Sequence, residues 1–194
     1  MKKILAFVAS LTAVCALMCG CSQRSDKEPL EGYEKISMHA SWSYAYDGVK
    51  GLCKTDELDL IARVKIGNSE QQNRNGLLMT VFTANVKDLI YGNAEDVVNV
   101  IMTGGIDHDS KTIYEISDDP LMQKDDEFII FAHKNESGTY TVLGGPQGRF
   151  VIDNDNVFPL VDHCSQSNTA KVQTAEKGDG KTISDFVEEI KSYI

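Results

Sequence analysis

From Leu58 to Leu160 the chain is written in short apolar runs of period two, separated by turn residues, and this pattern confines it to β-structure. Leu58, Leu60, Ala62, Val64 and Ile66 alternate with Asp59, Arg63 and Lys65, as in a half-buried strand. Residues 67–76, GNSEQQNRNG, are polar and read as a loop. Leu77–Leu89 is a long strand with Leu78, Phe82, Ala84 and Val86 on one face, and Val97–Met102, ended by Gly104-Gly105, is the next. Residues 106–123 form an Asp-rich loop with a short extended piece at 113–116. Phe128–Ala132 is continuously apolar and suits a central strand. Glu136-Ser137-Gly138 is a hairpin turn, and Asp153–Asn156 is the last one. Tyr140–Leu143, Arg149–Ile152 and Val157–Leu160 are short strands. Strands near 58–66, 77–89, 97–102, 126–133 and 139–152 predict a mainly β chain closed into a small antiparallel barrel, because a flat sheet would leave apolar edges.

Helix is expected mainly at the C-terminus. Ile183, Phe186, Val187, Ile190 and Ile194 share a face at helical spacing, and Thr182 with Asp185 is a variant of the capping box, which predicts a helix over 182–193. A short helical or irregular piece is expected around Leu52 and Cys53. Ahead of it, Ile36, Met38, Ala40, Trp42, Tyr44 and Tyr46 alternate along a further strand, up to the turn at Asp47-Gly48.

The N-terminus carries an address. Lys2 and Lys3 precede a fifteen-residue apolar run, Ile4–Met18, which is short for a membrane span of roughly 20 residues and fits a signal sequence. The run meets Met18-Cys19-Gly20-Cys21-Ser22, which resembles the lipobox of bacterial lipoproteins. That resemblance implies cleavage after Gly20, a diacylglycerol on Cys21, and a protein held to the extracytoplasmic face of the cell membrane. An ordinary cleaved signal and an uncleaved anchor are the alternatives. The expected division is 1–20 signal peptide, 21–32 polar tether and 33–194 a single domain. The tether, CSQRSDKEPLEG, has almost nothing to bury.

Charge narrows the partners. The chain has 29 acidic and 19 basic residues, a net charge of −10, and loss of the two signal lysines would make it −12. An acidic surface argues against nucleic acid and against lying flat on anionic lipid. Cys15 and Cys19 would leave with the signal and Cys21 would carry lipid, so Cys53 and Cys164 remain as an even pair in an exported protein. A disulfide between them is expected, with two free thiols as the alternative.

Four segments then carry a further resemblance: DLIARVKI, TVFTANVKDLIYGNAEDVVNVIMTGG, DEFIIFAHK and YTVLGGPQGRFVIDNDNVFPL. They look like a group of uncharacterised secreted proteins and lipoproteins of Gram-positive bacteria. The shared pattern is a strand ending in Leu-x-Gly-(Asn/Asp), a Gly-Gly turn, an apolar strand and a Gly-x-x-Gly-hydrophobic segment. The resemblance implies an OB-like barrel, similar in architecture to the netrin-like module of metalloprotease inhibitors, and carries no established activity over to this chain.

Candidate sites are few. Trp42, Tyr44 and Tyr46 would make an aromatic strip for a sugar or peptide if exposed, although their period favours burial. Gly144-Gly145-Pro146-Gln147-Gly148 with Arg149 would cradle an anion, but lacks the Lys-Ser/Thr of a phosphate loop. Asp107, His108, Asp109, Asp118, Asp119, Asp125, Asp126 and Glu127 surround one connection without the spacing of a calcium loop, and solvated acids are the simpler reading. His39, His108, His133 and His163 show no metal-binding spacing. No cofactor or metal is implied. The leading expectation is a lipid-anchored, non-catalytic binding module for an extracellular protein or cell-wall ligand. A netrin-like protease inhibitor and a metal-dependent enzyme using the acids of 107–127 are the alternatives.

Overall fold

A strand such as Phe128-Ile129-Ile130-Phe131-Ala132 is stable only where both of its faces are covered, and every one of these five residues is buried. The computed structural model describes residues 30–40, 45–160 and 180–194, and all the elements below lie in the unit Gly32–Ile194. In order they are β1 (Glu34–Met38), α1 (Gly48–Lys54), β2 (Leu60–Arg74), β3 (Leu77–Gly92), β4 (Val97–Thr103), β5 (Gly105–Asp107), β6 (Thr112–Ile116), β7 (Glu127–Lys134), β8 (Tyr140–Val142), β9 (Arg149–Asp153), β10 (Asn156–Pro159), β11 (Lys181–Thr182) and α2 (Ile183–Tyr193).

The strands β2-β3-β4-β8-β7 are neighbours in that order, and β7 pairs back onto β2, which closes a five-stranded OB-like barrel. All its pairings are antiparallel except β4 with β8, which meet in parallel at Val100 and Tyr140. The closure depends on a bend. β8 pairs the C-terminal half of β7, a 3₁₀ turn at Gly145–Gly148 intervenes, and β9 pairs the N-terminal half. Gly148 permits it: a Cβ there would lie 2.4 Å from the Leu143 carbonyl oxygen.

Two cores follow from the two faces of this sheet. Leu60, Ala62, Val64, Ile66, Phe82, Ala84, Val100, Phe128 and Ile130 fill the barrel interior. Ile61, Ile129, Phe131 and Phe150 face outward, beneath Leu52 and Cys53 of α1 and Phe186 and Ile190 of α2. The rings of Phe131, Phe150 and Phe186 pack in sequence in tilted pairs, with centroids 5.6 and 4.8 Å apart. Thr182 caps α2 by accepting from the Asp185 N–H. The Asn154-Asp155 turn, both residues at positive φ, presents the Asp155 carbonyl to the Ile183 N–H.

Several expectations need correction. Residues 67–76 are not a loop: β2 runs on to Arg74 and turns through Asn75-Gly76 (φ 54° and 83°), a two-residue hairpin with the Asn-Gly signature of type I′. The register against β3 carries these polar residues into the ladder. The strand through Ile36 stops at Met38 and belongs to a separate three-stranded sheet, β1-β6-β5, where Ile36 is 40 % exposed. Residues 41–44 lie outside the described residues. The expected disulfide is not found: Cys53 is a free thiol, buried on the outer core, and Cys164 lies outside the described residues. Cys53 points into apolar packing between the two helices, where a thiol behaves as a small hydrophobe.

Replacing Phe131 by Ala should cost about 3–5 kcal/mol, because it empties the outer core at its centre, whereas Thr182→Ala should cost only about 1 kcal/mol. Urea midpoints of the two variants check the ranking.

Candidate functional site

The barrel floor holds the one fully buried charge pair among the described residues. Arg149 opens β9 with its side chain in the interior, 1 % exposed. Its Nη2 donates to Asp119 Oδ1 at 2.6 Å and to the Pro120 carbonyl at 2.7 Å, and its guanidinium lies 5.3 Å from the Phe128 ring centroid. Arg149 is therefore not part of an anion cradle beside the glycine turn. It ties the 116–123 connection across the barrel end. Burial pushes the Asp119 carboxyl up, against the pull of Arg149. Asp126, whose Oδ2 accepts from the Gln123 N–H, is pushed up chiefly by burial as well.

The remaining acids serve the loops that hold them. Asp107 Oδ1 accepts from the N–H groups of Asp109 and Ser110, and hydrogen bonding from Ser110, its hydroxyl first and then its N–H, holds the Asp107 carboxyl below the usual range. Asp125 pairs with Lys65, and Glu127 with Arg63. Among the described residues no three His, Cys, Asp or Glu side chains converge to hold a metal ion.

The aromatic strip is described only at Tyr46; Trp42 and Tyr44 lie outside the described residues. Tyr46 is half-buried. Its N–H donates to Gln147 Oε1 and its hydroxyl to Glu57 Oε2. It lines a shallow apolar cleft of about 230 Å³ with Val49, Leu52, Gln147, Phe150 and Pro159. Its ring sits on Gly144, at φ 58°, where a Cβ would stand 3.0 Å from two ring carbons. The glycines of this turn thus serve packing and backbone conformation.

Two features were not legible as sites. Asp59 Oδ2 lies 2.8 Å from His133 Nδ1 and also accepts from the Lys134 N–H, while the Glu57 carbonyl lies 3.1 Å from the same imidazole nitrogen. A carboxylate so placed orients an imidazole, and Thr141 stands across the strand from His133. Both partners are nearly half exposed. The arrangement secures the start of β2 to the end of β7. No spacing announces it, because 74 residues separate Asp59 from His133.

The second is the β2–β3 ribbon. β7 follows β2 only as far as Lys65, and the last bonds on that edge are Ile66 N–H to the Asp126 carbonyl and Asp125 N–H to the Ile66 carbonyl. A bulge at Gly67-Asn68 follows, where Thr83 Oγ1 donates to the Asn68 carbonyl. Beyond it Ser69–Arg74 pair with β3 alone, and their other edge is open among the described residues. Leu77, at the tip, is 56 % exposed. On the outer face of β3 and β4, Val81, Thr83 and Asn85 stand opposite the buried Ile101 and the exposed Asn99 and Val97, without an aromatic ring among these six on which a base could stack.

No family model matches the chain, and no curated protein matches it significantly.

Arg149→Ala should destabilise by about 3–5 kcal/mol, since it strands Asp119 in the floor, whereas Arg149→Met with Asp119→Leu should restore most of the loss. Chemical denaturation of the single and double variants checks this. The pH dependence has a definite sign. A carboxyl whose folded pKa is raised binds its proton more tightly when folded, so its contribution is most favourable below the unfolded value of about 3.9 and falls as pH rises through the folded one. The stability of the parent relative to Asp126→Asn should therefore decline from about pH 4 towards neutrality. A constant or rising difference in urea midpoint would contradict it.

Proposed function

We propose that the protein is a lipid-anchored, extracytoplasmic interaction module without catalysis, and that the β2–β3 ribbon is its binding element. One observation carries the reading: among the described residues no strand pairs with the outer edge of Ser69–Arg74, which lies beyond a barrel whose interior is already filled by side chains. A filled barrel leaves recognition to the surface. An open edge offers unpaired N–H and C=O groups to another strand, and its polar side chains keep it soluble until such a strand arrives.

The anchor rests on the apolar run 4–18 and on Cys21 with its polar tether, all outside the described residues. A netrin-like inhibitor would instead require a free N-terminal cysteine amine to chelate the target's zinc. A diacylglycerol on the Cys21 sulfur would instead hold that residue at the membrane, away from a protease's zinc.

Cys21→Ser should release the protein from membranes and abolish the mass increment of a diacylglycerol, with the fold unchanged. A photo-reactive residue at position 77 should form protein adducts on intact cells, and one at the exposed Asp56 should not. Adducts at 56 alone, or retention of the Cys21→Ser protein in the membrane, would overturn the reading.

A further inference from the structure

We propose that the partner of the ribbon is the same ribbon of a second copy of this chain, paired antiparallel about a two-fold axis at Gln72. The inference rests on the ribbon being the binding element, and it adds the identity and register of what binds.

The register follows from the hairpin. A two-residue turn is closed by a hydrogen-bonded pair, here Arg74 with Leu77. Alternation along β2 then turns the main-chain groups of Arg74, Gln72 and Glu70 towards β3. Those of Asn73, Gln71 and Ser69 point to the open edge. Two copies of one strand can pair antiparallel only if residues of like orientation stand opposite one another. Three centres are then open to this short edge: Gln71 on Gln71, Gln72 on Gln72, or Asn73 on Asn73. Only the second sets Glu70 of each copy against Arg74 of the other. It also sets Gln71 against Asn73, both with outward main-chain groups, so each such pair forms two hydrogen bonds.

The side chains suit this arrangement. Glu70, Gln72 and Arg74 project from one face, and Glu70 and Arg74 are both exposed. Arg74 Nε donates to Gln72 Oε1 at 3.3 Å, which lays the guanidinium along the strand on that face. Opposite charges directly across an antiparallel pair stabilise it, and like charges oppose it. The edge is thus complementary to itself in one register, despite the acidic balance of the chain as a whole. An anchor would also confine two copies to one plane and raise their effective concentration.

Cysteine scanning of the full chain in its membrane tests this, with the parent chain as background for its native cysteines. Gln72→Cys should give an oxidant-induced homodimer on non-reducing gels several-fold above the parent, and Gln71→Cys should not. In the Gln72→Cys chain, Glu70→Arg or Arg74→Glu should each cut the dimer band severalfold, and the two together should restore it. The single swaps sit on an exposed ribbon, and their urea midpoints should match the parent, so a lost band reports pairing and not unfolding. Equal bands at 71 and 72, or no rescue by the double swap, would overturn the proposal. An adduct of Gln72→Cys with a different protein would overturn self-pairing and leave the ribbon as the binding element. No adduct of any kind at positions 71–73 would overturn both.

Discussion

The structure depends on the double burial of β7. Its inward residues Phe128 and Ile130 complete the barrel interior, and its outward residues Ile129 and Phe131 form the floor beneath the helices. Its two edges hold β2 on one side and both β8 and β9 on the other. Remove that strand and the barrel opens, the outer core loses its base, and α1 and α2 have nothing on which to dock. Everything else is arranged around one apolar five-residue segment.

The barrel end that lacks such packing is closed by charge. Arg149, on the strand that follows the glycine turn, reaches inward to Asp119 and the Pro120 carbonyl, and so fastens the acidic connection to the core. A buried pair of this kind contributes little net stability against an apolar equivalent, but it is costly to half-remove. It fixes where the connection lies. The same economy recurs on the surface, where Asp59 positions His133 and Asp107 closes its own turn. Acids that looked like candidate ligands along the chain are mostly engaged with the backbone or with a neighbouring cation. The open ribbon edge stands apart from these, because its backbone groups have no partner among the described residues.

Much of the barrel was readable because period-two alternation is a local signal. The strands around 58–66, 77–89, 97–102 and 126–133 emerge within a few residues, as does the C-terminal helix with its Thr182 cap. The ribbon was misread because the polar stretch 67–76 lacks an apolar face, and only its register against β3 makes it a strand. The placement of Ile36 escapes the pattern for the complementary reason. Alternation predicts a strand, but it does not say which sheet receives it. Cys53 was paired by counting, whereas its surroundings make it a packing residue.

The sequence by itself determined the β class, the terminal helix, the acidic surface and the expectation of an exported, tethered chain, because composition and periodicity act within a few residues of themselves. Only the tertiary structure decided that Arg149 is a floor and not a ligand site, that Asp59 meets His133, and that Ser69–Arg74 have an open edge. Those are contacts between distant segments or the absence of one beside a strand, and a linear pattern cannot carry either. They arise when the barrel closes through β7, because closure sets which backbone edges are consumed and which, among the described residues, are left over.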